Sequence, residues 1–353
     1  ATISGTTVTI IGAGTSVITV SQAASANYNS GSVTATLTVN KDNPVVSLSD
    51  INKTYNDADF NISAITSSTG SITYSSSDTS VATISGTTVT IIGAGTSVIT
   101  VSQVADANYN SGSVTATLTV NKDNPVVSLS DITKTYNDAN FNLSATSNSS
   151  GAITYSSSDT SVATISGTTV TIVGAGSSVI TVNQVANSNY NSASVTATLT
   201  VNKDNPVLSL SDITKTYNDA DFNLSATSNS SGAITYSSSD TSVATISGTT
   251  VAIVGAGTSV ITVSQVANTN YNSGSVTATL TVNKDNPVVS LSDITKTYND
   301  ADFDLSASTN STGAITYSSS VTSVATISGT TVTIVGAGTS VITVSQAANT
   351  NYN

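Results

Sequence analysis

A ten-residue string that opens the chain recurs along it at one fixed spacing. The string Ala-Thr-Ile-Ser-Gly-Thr-Thr-Val-Thr-Ile begins at Ala1 and again at Ala82, an interval of 81 residues. Close variants of it begin at Ala163, Ala244 and Ala325, so the interval stays the same. A constant period of this length indicates one structural unit copied in tandem. The fold must therefore be worked out for one repeat, and the function from what an array of repeats can do.

A short linker sequence places the boundaries between the repeats. Lys-Asp-Asn-Pro occurs at 41–44 and recurs at 122–125, 203–206 and 284–287. Proline lacks a backbone donor and keeps the residue before it extended, which suits a short connection between strands of successive domains. The predicted domains are the C-terminal half of a repeat at 1–41, complete repeats at 42–122, 123–203 and 204–284, and a repeat that lacks its last strand at 285–353.

The residue inventory argues against an enzyme. The chain has no His, Cys, Met or Trp, its 20 acidic residues are all Asp, and its 8 basic residues are all Lys. Acid–base, thiol and imidazole–metal chemistry mostly depend on His, Cys and Glu. We therefore expect no catalytic site and no required cofactor.

Charge and hydropathy narrow the choice of partners. A net charge of −12 without Arg disfavours binding to nucleic acid or to anionic membranes. No apolar run reaches the length of a membrane span, so we expect no membrane insertion. The expected partners are neighbouring repeats of the same chain and other copies in a filament.

Alternating apolar residues predict short strands throughout the repeat. Val114, Ala116, Leu118 and Val120 alternate with Thr, the period of a half-buried strand. Further strands are predicted at 45–48, 60–64, 72–76, 81–84, 88–92 and 98–101, with a two-residue hairpin at 86–87. Seven strands in one repeat favour an all-β sandwich. A closed barrel or a β-solenoid is the alternative, but solenoid coils repeat over fewer residues.

Several of these strings resemble those of a known family. They are Ser-Ser-Ser-Asp-Thr-Ser-Val-Ala-Thr-Ile-Ser at 75–85, the Gly-Ala-Gly turn, Val-Ile-Thr-Val and Ala-Asn-Tyr-Asn at 107–110. They are similar to bacterial immunoglobulin-like tandem repeats of giant Bacteroidota surface adhesins, including the type that drives gliding motility. The resemblance implies a tandem array of seven-stranded immunoglobulin-like β-sandwiches at the bacterial cell surface. It also implies that Tyr74 takes the aromatic position of the third strand, although the Cys pair and core Trp of antibody domains are missing.

Acidic residues at the repeat ends suggest a cation site. In an immunoglobulin-like path the loops that carry them lie where the last strand leaves for the next repeat. Clustered carboxylates and amide oxygens without His or Cys are the ligands of a hard cation. The hypothesis is a junctional Ca²⁺ that stiffens the array; the alternative is that these residues cap turns and stay solvated. The candidate ligands are Asp57, Asp59, Asp78 and Asp123 at one junction, and Asp138, Asn140, Asp159 and Asp204 at the next.

Two other recurring motifs allow a functional or a structural interpretation. The Tyr of Asn-Tyr-Asn could form an exposed platform for glycans, or pack its ring on the sandwich edge and hydrogen-bond a loop backbone. The Gly-Ala-Gly string at 93–95 lacks the remaining features of a phosphate-binding loop, so it predicts a turn. The Asn-Tyr-Asn tyrosines are Tyr28, Tyr109, Tyr190, Tyr271 and Tyr352.

The predicted function is that of a stalk. Domains joined by linkers of a few residues are expected to chain with little freedom, and force then passes through every domain. If the first and last strands of a repeat pair in parallel, pulling shears several hydrogen bonds at once. The alternative function is a repeat module that itself binds glycan or protein ligands through its Tyr and Asn loops.

Overall fold

The computed structural model describes residues 1–353, and all of its regular elements are β-strands. No element is a helix long and apolar enough to cross a membrane. The chain divides into two compact units. One comprises Ala1–Ile132, Asn140–Thr171 and Ser178–Leu199, and the other comprises Thr133–Ala139, Ile172–Ser177 and Thr200–Asn353. Repeat 42–122 lies wholly in the first unit and repeat 204–284 wholly in the second.

Thirty-eight strands follow one another along the chain. Residues 1–41 contain β1 Thr2–Ser4, β2 Thr7–Thr9, β3 Gly14–Gln22 and β4 Gly31–Val39. Residues 42–122 contain β5 Val46–Ser47, β6 Ile51–Thr54, β7 Phe60–Asn61, β8 Ile65–Thr66, β9 Ile72–Ser76, β10 Ala82–Ser85, β11 Thr88–Ile91, β12 Gly95–Gln103 and β13 Gly112–Asn121.

The later repeats contain the same series of strands. Residues 123–203 contain β14 Val127–Ser128, β15 Ile132–Thr135, β16 Phe141–Asn142, β17 Thr146–Ser147, β18 Ile153–Ser157, β19 Ala163–Ser166, β20 Thr169–Ile172, β21 Gly176–Gln184 and β22 Ala193–Asn202. Residues 204–284 contain β23 Leu208–Ser209, β24 Ile213–Thr216, β25 Phe222–Asn223, β26 Thr227–Ser228, β27 Ile234–Ser238, β28 Ala244–Ser247, β29 Thr250–Ile253, β30 Gly257–Gln265 and β31 Gly274–Asn283. Residues 285–353 contain β32 Val289–Ser290, β33 Phe303–Asp304, β34 Ser308–Thr309, β35 Ile315–Ser319, β36 Ala325–Ser328, β37 Thr331–Ile334 and β38 Ile342–Gln346.

Two sheets form the sandwich of repeat 42–122. One has the strand order β6-β13-β12-β9, the other has the order β10-β11-β7, and β5 pairs with β8. The nine segments make seven strands, because β5 and β6 are one interrupted strand and β7 and β8 are another. Repeat 204–284 has the same order, β24-β31-β30-β27 opposite β25-β29-β28. Each of these repeats is an immunoglobulin-like sandwich, which confirms the fold predicted from the sequence.

The first and last strands of the repeat pair in parallel. In repeat 42–122, Ile51 of β6 lies opposite Leu118 of β13, and Thr54 lies opposite Asn121. The same register joins β24 to β31 in repeat 204–284. The parallel pairing on which the expected shear of several hydrogen bonds depends is therefore present in both repeats.

The strand bounds differ from the predicted ones at the interrupted strands. The predicted strand 45–48 is shorter, and Ile51–Thr54 is a strand that the sequence analysis missed. The predicted strand 60–64 forms only at its start, with a separate segment at Ile65–Thr66. β6 has a single large apolar residue, so its extended form depends on the pairing with β13 rather than on its own pattern.

The core lies between the two sheets and follows the alternation of the strands. Val89, Ile99 and Leu118 are fully buried in the core of repeat 42–122. Tyr74 of β9 packs against this core, and its hydroxyl accepts a hydrogen bond of 2.8 Å from the Ala64 N–H. The aromatic position of the third strand is therefore occupied as expected.

Candidate functional site

A tight turn follows the first strand and sets up the contact with the next repeat. The Asp57 N–H donates to the Thr54 carbonyl at 3.0 Å, and the Thr54 N–H donates to the Asp57 carboxylate at 2.9 Å. Asn56 between them has a φ of 72°. Asn is one of the few residues other than glycine that tolerates this left-handed conformation. The turn therefore holds the Asn56 side chain in a fixed direction.

Asn56 bridges two residues of the following repeat. Its amide nitrogen donates to the Asp123 carboxylate at 3.0 Å and to the Tyr190 hydroxyl at 2.9 Å. The rings of Tyr55 and Tyr190 meet edge to face, with centroids 5.4 Å apart and planes at 81°. Tyr190 is only 9% exposed. Polar and aromatic contacts thus converge on one tyrosine of the neighbouring repeat.

The Gly-Ala-Gly turn makes a second contact with that repeat. The Ala94 N–H donates to the Asn189 side-chain oxygen at 3.0 Å. A Cβ on Gly93 would lie 2.7 Å from the Ser80 carbonyl oxygen and 3.3 Å from the Asn189 oxygen. Only glycine leaves room for this approach. The predicted turn is confirmed, and it also receives a side chain from the next repeat.

The linker is fixed to the repeat that follows it. The Lys122 ammonium group donates to the Asn187 carbonyl at 2.6 Å. The Asp123 N–H donates to the Asn189 carbonyl at 3.0 Å, and the Asn191 N–H donates to the Asp123 carbonyl at 2.8 Å. With its own backbone groups paired, the linker has little freedom to swivel.

The same contacts recur at two further junctions. We call each set the inter-repeat joint: the Tyr-Asn pair and the Gly-Ala-Gly turn of one repeat, with the linker Asp and the Asn-Tyr pair of the next. The first joint lies within one compact unit and the other two lie within the other. The asparagine amide again lies 3.0 Å from the carboxylate and 2.9 Å from the hydroxyl. The members that correspond to Asn56, Asp123, Tyr190, Ala94 and Asn189 are Asn137, Asp204, Tyr271, Ala175 and Asn270, and then Asn218, Asp285, Tyr352, Ala256 and Asn351.

The structure does not gather the predicted calcium ligands of the first junction. Asp57 accepts from Thr54, and Asp59 accepts from the Thr90 hydroxyl. Asp78 accepts from the N–H and the hydroxyl of Ser80, and Asp123 accepts from Asn56 and Asn124. No group of three or more Asp, Glu, His or Cys side chains that could hold a metal ion occurs in the chain.

The second set of predicted ligands is equally dispersed. Asp138 accepts from the Thr135 N–H, Asp159 accepts from Ser161, and Asp204 accepts from Asn137. Asn140 is exposed. Of the predicted ligands, only the linker residues Asp123 and Asp204 belong to joints. The expectation that carboxylates converge at each junction is therefore corrected, because each one is satisfied by donors close to it, and Ca²⁺ binding stays a prediction without a ligand cluster.

The tyrosines of Asn-Tyr-Asn are placed differently from either expectation. Tyr190, Tyr271 and Tyr352 are 9%, 8% and 7% exposed, so these three do not form an exposed platform. Tyr109 is half-buried, and Tyr28 is exposed. Each buried ring meets a tyrosine of the preceding repeat edge to face, and its hydroxyl accepts a hydrogen bond from an asparagine side chain of that repeat instead of bonding a loop backbone.

A carboxylate inside repeat 42–122 organises the loop next to the linker. Asp106 accepts from the N–H groups of Asn108 and Thr69 and from the hydroxyls of Thr69 and Ser68. These bonds, led by the Asn108 N–H and the Thr69 hydroxyl, hold the pKa of Asp106 well below its ordinary value. The next repeat has Asn187 at this position, whose amide donates to two serine hydroxyls. The loop is therefore held by a carboxylate acceptor in repeat 42–122 and by an amide donor in repeat 123–203.

Comparisons with known proteins give only distant likenesses. No protein-family model matches the chain, and no curated protein sequence matches it. Among solved structures the chain is similar to an I-band fragment of titin, with 14% identity over 68% of this chain and 98% of that chain and a TM-score of 0.29. It is also similar to Drosophila N-cadherin EC1-3, with 15% identity over 66% of this chain and 97% of that chain and a TM-score of 0.27. A third similar structure is surface layer protein SbsC, domains 1-6, with 14% identity over 97% of this chain and 55% of that chain and a TM-score of 0.24.

Proposed function

We propose that this chain is a structural segment of a large secreted adhesin on the surface of a bacterium. It holds a binding tip away from the cell and transmits adhesive or gliding force. The observation that carries the proposal is the inter-repeat joint, which occurs three times with the same residues and nearly the same distances. An array that had only to keep binding modules apart would not need a fixed contact at each linker. The role needs no cofactor.

The path of force through one repeat supports the proposal. The chain enters repeat 42–122 through β5 and β6 and leaves through β13, and β6 and β13 pair in parallel. Tension on the two ends therefore slides these strands along each other and loads their hydrogen bonds together. Force then passes from Asn121 into a linker whose backbone is bonded to the next repeat.

The alternative, a glycan- or protein-binding module, is less well supported. It relied on exposed tyrosines, and the rings of Tyr190, Tyr271 and Tyr352 are buried in joints. Their hydroxyls are already occupied by the asparagine of the preceding repeat.

Single-molecule stretching of the whole chain tests the proposed function. We expect one unfolding event for each complete repeat, and a fully extended repeat reaches roughly 280 Å at about 3.5 Å per residue. The three events should occur at similar force, because the three complete repeats have nearly the same sequence. Smooth extension at low force without separate events would contradict the proposal.

A further inference from the structure

One strand of the four-stranded sheet has an open edge. β9 is the outermost strand of the order β6-β13-β12-β9 and pairs only with β12. The Ser77 N–H donates to the Val98 carbonyl, which fixes the alternation of bonds between these strands. In an antiparallel pair every second residue bonds the partner, so Thr73 and Ser75 bond β12. The N–H and C=O groups of Ile72, Tyr74 and Ser76 consequently point away from the sheet.

This edge carries no charge, proline or bulge that would hinder pairing with another chain. Exposed edges in natural proteins are commonly blunted by Lys, by Pro or by a bulge. The sequence of β9 is Ile-Thr-Tyr-Ser-Ser, without charge or proline, and its register with β12 is continuous. The solvent-facing side chains of β9 and β12 are also uncharged: Thr73, Ser75, Thr96, Val98, Thr100 and Ser102. The net charge of −12 is therefore carried elsewhere.

The same edge recurs in the other repeats. β18, β27 and β35 have the identical sequence. In each case the residue after the strand makes the hydrogen bond that Ser77 makes, so the same backbone groups point outward. The residues in the place of Ser77 are Ser158, Ser239 and Ser320.

We propose that these edges pair with the same edges of a second copy of this chain and join the two sheets side by side. A strand of this sequence is its own antiparallel complement: with Tyr74 opposite Tyr74, Ile72 of each copy lies opposite Ser76 of the other. The outward N–H and C=O groups then meet one another. Each compact unit carries two such edges, and weak contacts made by both can add up.

A second copy fits the edge because of its charge and its extent. Two chains of net charge −12 repel one another, and the repulsion is least where two uncharged surfaces meet. The other outermost strands of the two sheets are shorter than the five-residue β9: β6 and β10 have four residues each and β7 has two. Pairing at β9 therefore offers more hydrogen bonds for each repeat. Pairing between chains does not depend on the proposed force-bearing role, because that role concerns contacts within one chain.

Sedimentation of the whole chain over a range of concentrations, combined with hydrogen exchange, tests this proposal. We expect reversible association that doubles the mass and strengthens with added salt, because salt screens the repulsion. In the associated state the amides of Ile72, Tyr74 and Ser76 become protected. Those of Thr73 and Ser75 are protected at every concentration. A chain that stays monomeric at all concentrations and salt levels would overturn the proposal.

Two matched variants decide whether the edge is the contact. The edge variant carries Ser75→Lys, Ser156→Lys, Ser237→Lys and Ser318→Lys, at exposed positions of the four edge strands. The control variant carries Thr34→Lys, Thr115→Lys, Thr196→Lys and Thr277→Lys, at exposed positions of β4, β13, β22 and β31. In the complete repeats these strands lie inside the four-stranded sheet, away from the open edge. Both gain the same charge, so the edge variant should be monomeric and the control should still associate. Equal behaviour of the two variants, with both still folded by circular dichroism, would show that another surface is responsible.

Discussion

At the scale of single residues, the joint depends on an asparagine in an uncommon backbone conformation. Asn56, Asn137, Asn218 and Asn299 have φ values from 70° to 77°. The first three each bond a carboxylate and a tyrosine of the next repeat. Asparagine meets both demands, since it accepts the left-handed conformation and carries an amide donor. Glycine would meet only the first demand.

The substitution Asn56→Gly should loosen the first joint without straining its turn. The variant loses the two hydrogen bonds from Asn56 to Asp123 and Tyr190, which should lower the stability of the joint by about 1–3 kcal/mol. The Ala94 N–H reports on the opening of the joint, because it bonds the Asn189 side chain across it. We expect its hydrogen exchange to become at least about fivefold faster.

The chain offers a matched control for this substitution. Asn299 occupies the same turn, with a φ of 77°, but bonds no carboxylate or tyrosine of a further repeat. Asn299→Gly should leave the exchange of Ala94 unchanged. If Asn56→Gly also leaves it unchanged, the amide does not hold the joint.

Acid should affect repeat 42–122 through a group that the next repeat lacks. The pKa of Asp106 is lower in the folded state than in the unfolded chain. The carboxylate therefore stabilises the fold above its ordinary pKa of about 3.9, and this contribution is lost as the pH falls below that value towards the folded pKa. Asn187 in repeat 123–203 does not titrate.

The substitution Asp106→Asn tests this assignment. Wild type and variant should differ in stability near pH 6, and the difference should shift in favour of the variant between about pH 4 and pH 2. The urea midpoint, followed through backbone amide signals of repeat 42–122, is the measurement. Signals of repeat 123–203 provide the internal control. A difference that is constant over this pH range would rule out the titration of Asp106.

At the scale of elements, the parallel pair of β6 and β13 differs from the other strands in how it could be predicted. The alternation of Val114, Ala116, Leu118 and Val120 predicts β13 directly. β6 was missed because its pattern is mostly polar and its partner lies more than sixty residues further along the chain. Local sequence patterns predict strands that bury one face, but they do not predict strands that form only because a distant partner pairs with them.

The same reason explains what the sequence showed of the joint. The Gly-Ala-Gly turn was predicted from local composition, and the burial of the tyrosine rings was one of two interpretations. Asn56 was missed, although it recurs in every complete repeat. Its contact with Tyr190 spans 134 residues, and no pattern within one repeat links the two. The acidic residues were over-interpreted because proximity in a schematic sandwich does not show which donors each carboxylate already has.

The substitution Lys53→Pro should weaken the parallel pair of repeat 42–122. The Tyr55 N–H donates to the Asn121 carbonyl, so by alternation the Lys53 N–H also faces β13. Proline removes that donor. In single-molecule stretching, one of the three unfolding events should move to lower force.

The neighbouring residue provides the control for this element. The Asn52 N–H points to the open side of β6, which is the outermost strand of its sheet. Asn52→Pro should therefore leave all three events at similar force. Equal weakening by both substitutions would mean that proline disturbs the strand in some other way.

At the scale of the whole molecule, an array with fixed joints should behave as coupled repeats rather than as independent ones. Each linker is bonded to the repeat after it, and each joint adds contacts to the repeat before it. Neighbouring repeats in such an array add an interface term to the stability of each. The force-bearing role proposed above requires this coupling.

Spin labels provide the measurement of this coupling. The chain has no Cys, so Thr115→Cys and Thr196→Cys introduce unique labelling sites on two neighbouring repeats. We expect a narrow distribution of distances between them and a broader one when Asn56→Gly is added. The same pair with Asn299→Gly should keep the narrow distribution. A broad distribution in the parent pair would contradict a fixed joint.

The joint takes one half of its residues from each repeat, and both halves are present in every complete copy. Removing residues 123–203 would bring Asn56 next to Asp204 and Tyr271, which are the same partners under other numbers. Recombination between copies of the coding sequence can therefore lengthen or shorten the protein in whole steps while every interface stays intact. The number of repeats is then a quantity that a population can vary without altering any single contact.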